Sequence, residues 1–369
     1  MTNIQSEIEN FPYNHLQKSV KYNLVETCAY MGTGCTGVAY NVLMGTNLES
    51  RYSVAEENQR RFEILKYKPF YDKIVDLMGR EDNKGIYFVQ KDKSSLCKGE
   101  DGKRFLSSAR YNKPNEIFFN GFPEAYKDFG VTILEGNEVY NLSKDEIMSI
   151  LKGGVYLNGE ALEILQKQGY GEYLGFEIDK KIERDGLEKF NSHQINKGFE
   201  NVIRECRMSF WRDGEVWTIK KTQDGGEYLS SLENYVGDIF GYSSGIFENK
   251  LGGRVCVMGY YPNMYVQNYS QTVRLKRIFR YLSKDTLNYV SSYHNIMMFE
   301  RGKGILLVSN CLDIQENVEI ALNGDFSEIM CLNQEMTENT IKRRKKEGNY
   351  SYFVLPKLNP FDVSLLYKD

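Results

Sequence analysis

The stretch Gln5-Ser6-Glu7-Ile8-Glu9-Asn10-Phe11-Pro12-Tyr13 decides the fold of the amino-terminal part of the chain. Two carboxylates flank one apolar residue, and the proline that follows predicts that a short strand ends there and the chain turns. In a (β/α)8 barrel, the catalytic groups lie at the carboxyl ends of the strands. We therefore predict that Glu7 and Glu9 stand at the end of such a strand. The alternative is that both are solvated charges near a chain terminus.

The residues that follow continue the pattern of a barrel. Residues 16–31 have apolar side chains at helical spacing, residues 36–44 have the composition of a strand, and a second helix is predicted over 56–78. The order strand end, helix, strand, loop, helix corresponds to the last two βα units of a barrel. A whole barrel takes about 250 residues, so residues 1–80 are interpreted as the end of one.

Two more domains are predicted after this segment. Residues 81–290 alternate short strands and helices, which favours a parallel-sheet α/β domain, with a long, poorly periodic insertion at about 177–250. Residues 291–369 consist of short alternating runs separated by Asn, Gly and Asp turns, which is typical of a small antiparallel β-sandwich. The predicted fold class is therefore α/β, with a partial barrel, an α/β domain and a sandwich.

Composition excludes some classes of partner. The chain has 47 basic and 50 acidic residues and a net charge of −3, so no basic field indicates nucleic acid. The basic run Lys342–Lys346 is interpreted as a solvated hairpin loop. No signal peptide and no long apolar span is recognisable, so we expect a cytoplasmic protein without a membrane partner.

Cysteine and histidine usage argues against metal chemistry. The seven cysteines include no CxxC pair and several lie in apolar runs, which indicates reduced, buried thiols, as with Cys256. The three histidines are far apart, so a zinc site is not expected, and no cofactor is predicted. Residues 32–37 match GxGxxG, but this match precedes a strand instead of following one. A nucleotide-binding protein is therefore the weakest of the alternatives.

Three blocks of sequence together resemble the β-galactosidase-like glycoside hydrolases. Glu7–Tyr13 with Gly34–Asn41 resembles the end of their barrel. Gly153–Leu165 with Gly252–Pro262 is similar to the amidotransferase-like (flavodoxin-like) trimerisation domain that follows it. Tyr352–Phe361 resembles the last strands of their carboxyl-terminal sandwich. The resemblance covers nearly the whole chain as an order of parts.

This resemblance implies a retaining mechanism with two carboxylates about 5 Å apart. The nucleophile would lie on the seventh barrel strand, where Glu7 is preferred and Glu9 is the alternative. The resemblance also implies a set of substrate-binding residues at the strand ends: Asn10, Tyr13, Tyr40 and Asn41. The acid/base would belong to the fourth strand, which these residues do not include. We therefore expect the isolated chain to be inactive.

The resemblance does not extend to amidotransferase chemistry. Such enzymes carry a cysteine on the turn between strand and helix, whereas residues 157–160 read Leu-Asn-Gly-Glu. The competing hypothesis is a non-enzymatic carbohydrate-binding or assembly module. Expected partners are a galactoside-like carbohydrate and either further copies of the chain or a partner chain that supplies the missing barrel strands.

Overall fold

The computed structural model describes residues 4–9, 18–41, 53–89, 96–98, 104–106, 121–127, 130–183, 186–206, 215–260, 268–309 and 313–368. The chain divides into two compact units. Unit 1 comprises Met1–Gly85, Gly121–Ala125 and Asn288–Asp369, and unit 2 comprises Ile86–Asn120 and Tyr126–Leu287. The predicted barrel end and the predicted sandwich thus belong to one unit. The domain boundaries at 80 and 290 remain predictions.

The α-helices of the described residues are, in chain order, α1 (Val20–Thr33), α2 (Val54–Lys66), α3 (Lys68–Met78), α4 (Lys144–Lys152), α5 (Gly159–Lys167) and α6 (Tyr269–Leu282). Short 3-10 helices span Gly136–Asn141, Gly171–Tyr173 and Gln194–Asn196.

The strands that the structure describes are, in chain order, β1 (Gln5–Glu9), β2 (Gly37–Asn41), β3 (Ile86–Phe88), β4 (Leu96–Lys98), β5 (Arg104–Leu106), β6 (Glu124–Ala125), β7 (Val131–Leu134), β8 (Gly154–Asn158), β9 (Phe176–Glu183), β10 (Gly186–Phe190), β11 (Ile203–Cys206), β12 (Glu215–Lys221), β13 (Glu227–Glu233), β14 (Ile239–Glu248), β15 (Arg254–Met258), β16 (Tyr289–Val290), β17 (Ile296–Arg301), β18 (Gly304–Ser309), β19 (Glu319–Asn323), β20 (Glu328–Asn333), β21 (Glu338–Lys342), β22 (Lys345–Glu347), β23 (Tyr350–Val354) and β24 (Val363–Tyr367).

Unit 1 begins with a parallel βαβ motif. β1 and β2 pair in parallel and α1 connects them. Ser19 caps the start of α1 by accepting a hydrogen bond from the Tyr22 amide, and Gly34 ends the helix at φ 117°, a left-handed conformation that glycine adopts without strain. This motif is the local geometry that the sequence predicts for a barrel end.

The helix predicted over 56–78 is two helices. α2 ends at Lys66 and α3 begins at Lys68, with Tyr67 between them. Pro69 lies in the first turn of α3, where its missing amide hydrogen costs little. In the interior of one long helix it would remove a hydrogen bond and clash with the preceding turn. The proline therefore explains the break.

The carboxyl-terminal part of unit 1 consists of two antiparallel sheets, in the orders β16-β19-β23-β22 and β17-β18-β24-β20-β21. Their facing sides share one core, to which both sheets contribute: Val290, Ile296, Met298, Leu307, Val318, Ile320, Leu322, Ile329, Cys331, Phe353, Leu355, Leu358 and Leu366. The antiparallel strands that the alternating sequence predicts are therefore present.

Unit 2 is built on one large mixed sheet. Its strand order is β11-β10-β13-β14-β15-β8-β7-β3, with β12 pairing β14 and β9. Only β15, β8, β7 and β3 are mutually parallel among these strands. The region predicted as an insertion adds the antiparallel strands, so the sheet continues beyond the parallel part. The predicted parallel-sheet domain is therefore built on a mixed sheet, because hairpin connections join the strands that the insertion adds.

Helices α4 and α5 pack against the parallel part of this sheet. Ser143 forms a capping box with Glu146 at the start of α4, as the sequence predicts. The apolar faces of both helices and of the strands form the core of unit 2, which includes Ile147, Ile150, Val155, Leu157, Leu162, Leu165, Phe176, Ile219, Val255 and Val257. Cys256 is a free, buried thiol in this sheet, as predicted.

Candidate functional site

Glu7 and Glu9 lie on the same exposed face of β1, while Ile8 between them is fully buried. Glu7 pairs in register with Ala39 of β2, which is also exposed, and Glu9 pairs with Asn41. Glu9 is the last described residue of the strand. The two carboxylates therefore occupy one open face at the carboxyl end of the parallel pair.

The end of β1 is tied to the start of α1. The Lys18 ammonium donates to the backbone carbonyl of Glu9 and also forms an ion pair with Glu26 on α1. At the other end of the strand, the Thr36 amide donates to the Ile4 carbonyl over 2.9 Å. These contacts fix the direction of β1 and so the face on which its carboxylates stand.

The other predicted site residues do not gather around these carboxylates. Tyr40 alternates with Ala39 on β2, and its hydroxyl hydrogen-bonds to Thr27 of α1 over 2.8 Å. Burial on this helix-facing side raises the pKa of Tyr40. Asn41 takes part in the strand through its backbone, and Asn10 and Tyr13 lie outside the described residues. Their roles in substrate binding remain predictions.

Carboxylates on such an open face have the chemistry of a nucleophile or a general base when a substrate is placed against them. Across the described residues, no three His, Cys, Asp or Glu side chains are grouped as metal ligands would be. None of the described helices is long and apolar enough to cross a membrane.

The turn between β8 and α5 in unit 2 is occupied by a structural asparagine. Asn158 caps α5 by accepting a hydrogen bond from the Ala161 amide, and it accepts a second one from the Gly136 amide, both over 2.9 Å. The Trp217 ring covers the next residue, since a Cβ added to Gly159 would lie 2.5 Å from a ring carbon. This turn therefore offers no nucleophile and no open space.

Sequence reasoning missed a buried polar cluster in unit 2, centred on the carboxylate of Glu188 on β10. Arg274 donates to it over 2.7 Å, Arg204 over 3.0 Å, and the hydroxyls of Ser230 and Tyr260 over 2.6 Å each. Burial by itself would raise the pKa of Glu188, but the charges of Arg274 and Arg204 together with the hydrogen bonds from Ser230 and Tyr260 more than offset it and lower the pKa to about 2.

No local signal in the sequence indicates this cluster. The sequence predicts a basic amphipathic helix over 272–282, which would place its basic residues in solvent. In the structure Arg274 is fully buried and Lys276 nearly so. Burial also lowers the pKa of Lys276 to about 7.

A cavity of about 330 Å³ lies beside α4 in unit 2. Its walls combine aromatic and polar side chains: Tyr87, Tyr126, Lys127, Leu142, Glu146, Ser149 and Ile150. The volume is at the lower end of the range of small-molecule sites, and the Tyr126 ring is half exposed. This cavity is the candidate ligand site of unit 2.

The structure is similar to those of several glycoside hydrolases. With the alpha-L-fucosidase isoenzyme 2 from Paenibacillus thiaminolyticus, the TM-score is 0.66 at 12% identity, covering 98% of this chain and 60% of that one. With Gan42B, a GH42 beta-galactosidase from G. stearothermophilus, the TM-score is 0.57 at 10% identity, and the match covers 98% of this chain and 53% of that one. With the beta-galactosidase from the haloarchaeon Halorubrum lacusprofundi, the TM-score is 0.57 at 10% identity, and the match covers 98% of this chain and 52% of that one.

These similarities establish the fold at low sequence identity. The chain has a glycoside-hydrolase-like fold, mixed α/β with a large mixed sheet and antiparallel sheets. It spans 60% of the length of the fucosidase and about half the length of the beta-galactosidases. No family model matches the chain, and no curated protein matches it in sequence.

Proposed function

We propose that this chain is the carboxyl-terminal part of a retaining, β-galactosidase-like glycoside hydrolase, to which it contributes the nucleophile. The observation that carries the proposal is the parallel pair β1–β2, which holds Glu7 and Glu9 on the face opposite to α1. In a (β/α)8 barrel, helices cover the outside of the strands, so the opposite face points into the barrel. The similar structures of the fucosidase and the beta-galactosidases support the same class.

Glu7 is preferred on the sequence alone, but β1 is described through Glu9, so in this proposal we change the order and take Glu9 as the nucleophile, with Glu7 as the alternative. Catalytic groups of barrel enzymes lie at the carboxyl ends of the strands, and of the two carboxylates Glu9 lies nearer the carboxyl end of β1. Glu7 lies two residues earlier on the same face, about 7 Å back along the strand. A substrate that enters from the carboxyl end would meet Glu9 first.

The acid/base of a retaining pair would come from a different strand, and no residue of this chain is given that role. The nucleophile attacks the anomeric carbon while the acid, whose carboxyl group lies about 5 Å from that of the nucleophile, protonates the leaving oxygen. The missing strands would come from a partner polypeptide or from further residues of the same protein. The substrate class in this proposal is a galactoside-like carbohydrate.

The test uses a sugar whose leaving group does not need an acid. A dinitrophenyl 2-deoxy-2-fluoro-β-galactoside should form a stable sugar ester on the nucleophile, because dinitrophenolate leaves without protonation and the fluorine slows hydrolysis. The chain is assayed alone and after mixing with the polypeptide encoded next to it. We expect no turnover from the chain alone, and in the mixture an ester on the peptide that contains Glu9.

Matched variants separate the two carboxylates. In the active mixture, Glu9→Gln should abolish the ester and lower the hydrolysis of nitrophenyl galactoside by about 1,000-fold or more, while Glu7→Gln keeps both. An ester on Glu7 would exchange the two roles. Turnover by the isolated chain that survives both substitutions would contradict the proposal.

A non-enzymatic carbohydrate-binding module is the second candidate, and the cavity beside α4 favours it. Tyrosine rings can stack on a sugar while their hydroxyls and the neighbouring charges hydrogen-bond to it, and Tyr126 and Glu146 line this cavity. Calorimetric titration with galactose and fucose tests it. Saturable binding that Tyr126→Ala removes, in a protein that never hydrolyses glycosides, would favour this candidate over the enzyme.

A further inference from the structure

In unit 2, strands of the predicted insertion reach the carboxyl ends of two of the parallel strands, β8 and β15. In open α/β sheets, ligands bind in the crevice at this edge. Here β8 and β15 end at Asn158 and Met258, which pair in register. Two side chains from the added strands, Trp217 and Glu188, reach the region where the helices that follow β8 and β15 begin.

Trp217 of β12 closes the edge above β8. Its ring packs against Gly159 at the start of α5, where a Cβ would lie 2.5 Å from the ring. Its amide donates to the carbonyl of Gly259, just beyond β15, over 2.5 Å. The side chain is only 1% exposed. An aromatic side chain therefore fills the space at this turn.

Glu188 of β10 closes the edge next to β15. The groups that surround its carboxylate are Arg274 in α6, Tyr260 just after β15, and Arg204 and Ser230 on neighbouring strands. Two guanidinium groups and two hydroxyls around one carboxylate are a donor set that proteins use to bind anions. One of these donors is held by a further contact, since Arg274 also donates a hydrogen bond to the Ser244 hydroxyl over 2.5 Å.

Removing the Glu188 carboxylate would take from the buried Arg274 guanidinium the anion with which it pairs. Two buried guanidinium cations face one buried carboxylate, so the donors stay complementary to an anion if the glutamate side chain is removed. Burying a charge without a partner is costly, so an emptied cluster would have a strong preference for a small anion. Truncating Glu188 to alanine removes one methylene group together with the carboxylate, and this fragment is about the size of an acetate ion.

We propose that this crevice is a carboxylate-binding site whose ligand is the chain's own Glu188, carried into it by β10. Trp217 forms the neighbouring apolar plug. In this proposal, a side chain of the protein itself occupies the carboxyl ends of the strands, which is where other open α/β sheets bind separate ligand molecules. This inference is independent of the glycosidase proposal.

The test is rescue of Glu188→Ala by free carboxylates. Thermal unfolding of the full chain is followed by the fluorescence of its two tryptophans, both of which belong to unit 2. We expect the variant to melt at a lower temperature than the wild type. Acetate and formate should raise this temperature in a saturable way, because a ligand that binds only the folded state stabilises it by mass action. Chloride at the same ionic strength should do much less.

Glu233→Ala is the matched control. Glu233 is also buried, lies on the adjacent strand β13 and pairs with Lys189 over 3.7 Å, a lysine at the surface. Its loss should not create carboxylate-specific rescue. An equal effect of acetate on the wild type, the control and Glu188→Ala would overturn the proposal, and so would a Glu188→Ala protein as stable as the wild type.

Glu188→Gln keeps the proposal testable if the alanine variant does not fold. In the wild type the pKa of Glu188 lies near 2, below its ordinary value of 4.5. The stability from its charge is therefore fully present above pH 4.5 and is lost as the pH falls toward 2. We expect Glu188→Gln to lack this part of the acid sensitivity. Identical profiles for the two proteins would show that no bound carboxylate exists at this position.

Discussion

At the scale of single residues, Arg301 joins helices α1 and α3 to the antiparallel sheets of unit 1. It lies at the end of β17, is 2% exposed, and donates to the carbonyls of Met31, Gly32 and Met78. These carbonyls belong to the last turns of α1 and α3, where helix carbonyls lack partners and the helix dipole is negative. One guanidinium therefore satisfies the ends of two helices.

We predict that Arg301→Met destabilises unit 1 by at least about 3 kcal/mol, because several buried carbonyl oxygens would each lose a donor. The measurement is hydrogen exchange at the amides of α1 and α3 as a function of urea. Arg343→Met is the control, since Arg343 pairs with the exposed Asp325 at the surface of the sandwich, and it should change stability by less than about 1 kcal/mol. Equal protection in both variants would show that Arg301 does not join the helices to the sandwich.

At the scale of elements, α2 and α3 are neighbours in sequence with opposite environments. α2 has no buried residue, and Phe62 and Leu65 are 68% and 65% exposed. In α3, Phe70, Ile74 and Met78 are buried. The sequence groups all five into one apolar face, since periodicity reports a helix face but not what covers it.

We predict that matched truncations in the two helices have different costs. Ile74→Ala should lower the free energy of unfolding of unit 1 by about 2–5 kcal/mol, because it leaves a cavity in the core. Phe62→Ala should change it by no more than about 0.5 kcal/mol. Urea-dependent hydrogen exchange of the sandwich strands measures both. A large loss for Phe62→Ala would mean that α2 is packed in the protein in solution.

Elements with a local cause could be predicted from the sequence, whereas the contacts between them could not. The αL glycine after α1 and the capping box of α4 depend on residues within one turn of each other. The cluster of Glu188 depends on contacts such as that with Arg274, 86 positions away. Nothing near either residue marks this pairing. The orientation of Tyr40 could likewise not be predicted from the residues around it, because it becomes apparent only from the contact of its hydroxyl with Thr27 of α1.

At the scale of the whole molecule, segments that are far apart in the sequence belong to the same compact unit. Unit 2 is nearly continuous in sequence, while unit 1 joins both ends of the chain. Within unit 1, a Cβ on Gly32 of α1 would lie 2.5 Å from the ring of Phe299 on β17, and the Lys303 amide donates to the Leu77 carbonyl over 2.9 Å. The amino-terminal segment of unit 1 thus packs against strands that come more than 200 residues later.

We predict from this arrangement that a polypeptide of residues 86–287 folds by itself, because its sheet, its helices and the Glu188 cluster are all within it. A polypeptide of residues 1–85 should remain unfolded, since α1 and α3 would lose β17, β18 and the Arg301 side chain. Amide chemical-shift dispersion in NMR spectra distinguishes the two outcomes. Adding residues 288–369 should restore dispersion to 1–85, and Arg301→Met in the added piece should weaken this effect. A well-dispersed spectrum of 1–85 alone would show instead that this segment is stable without residues 288–369.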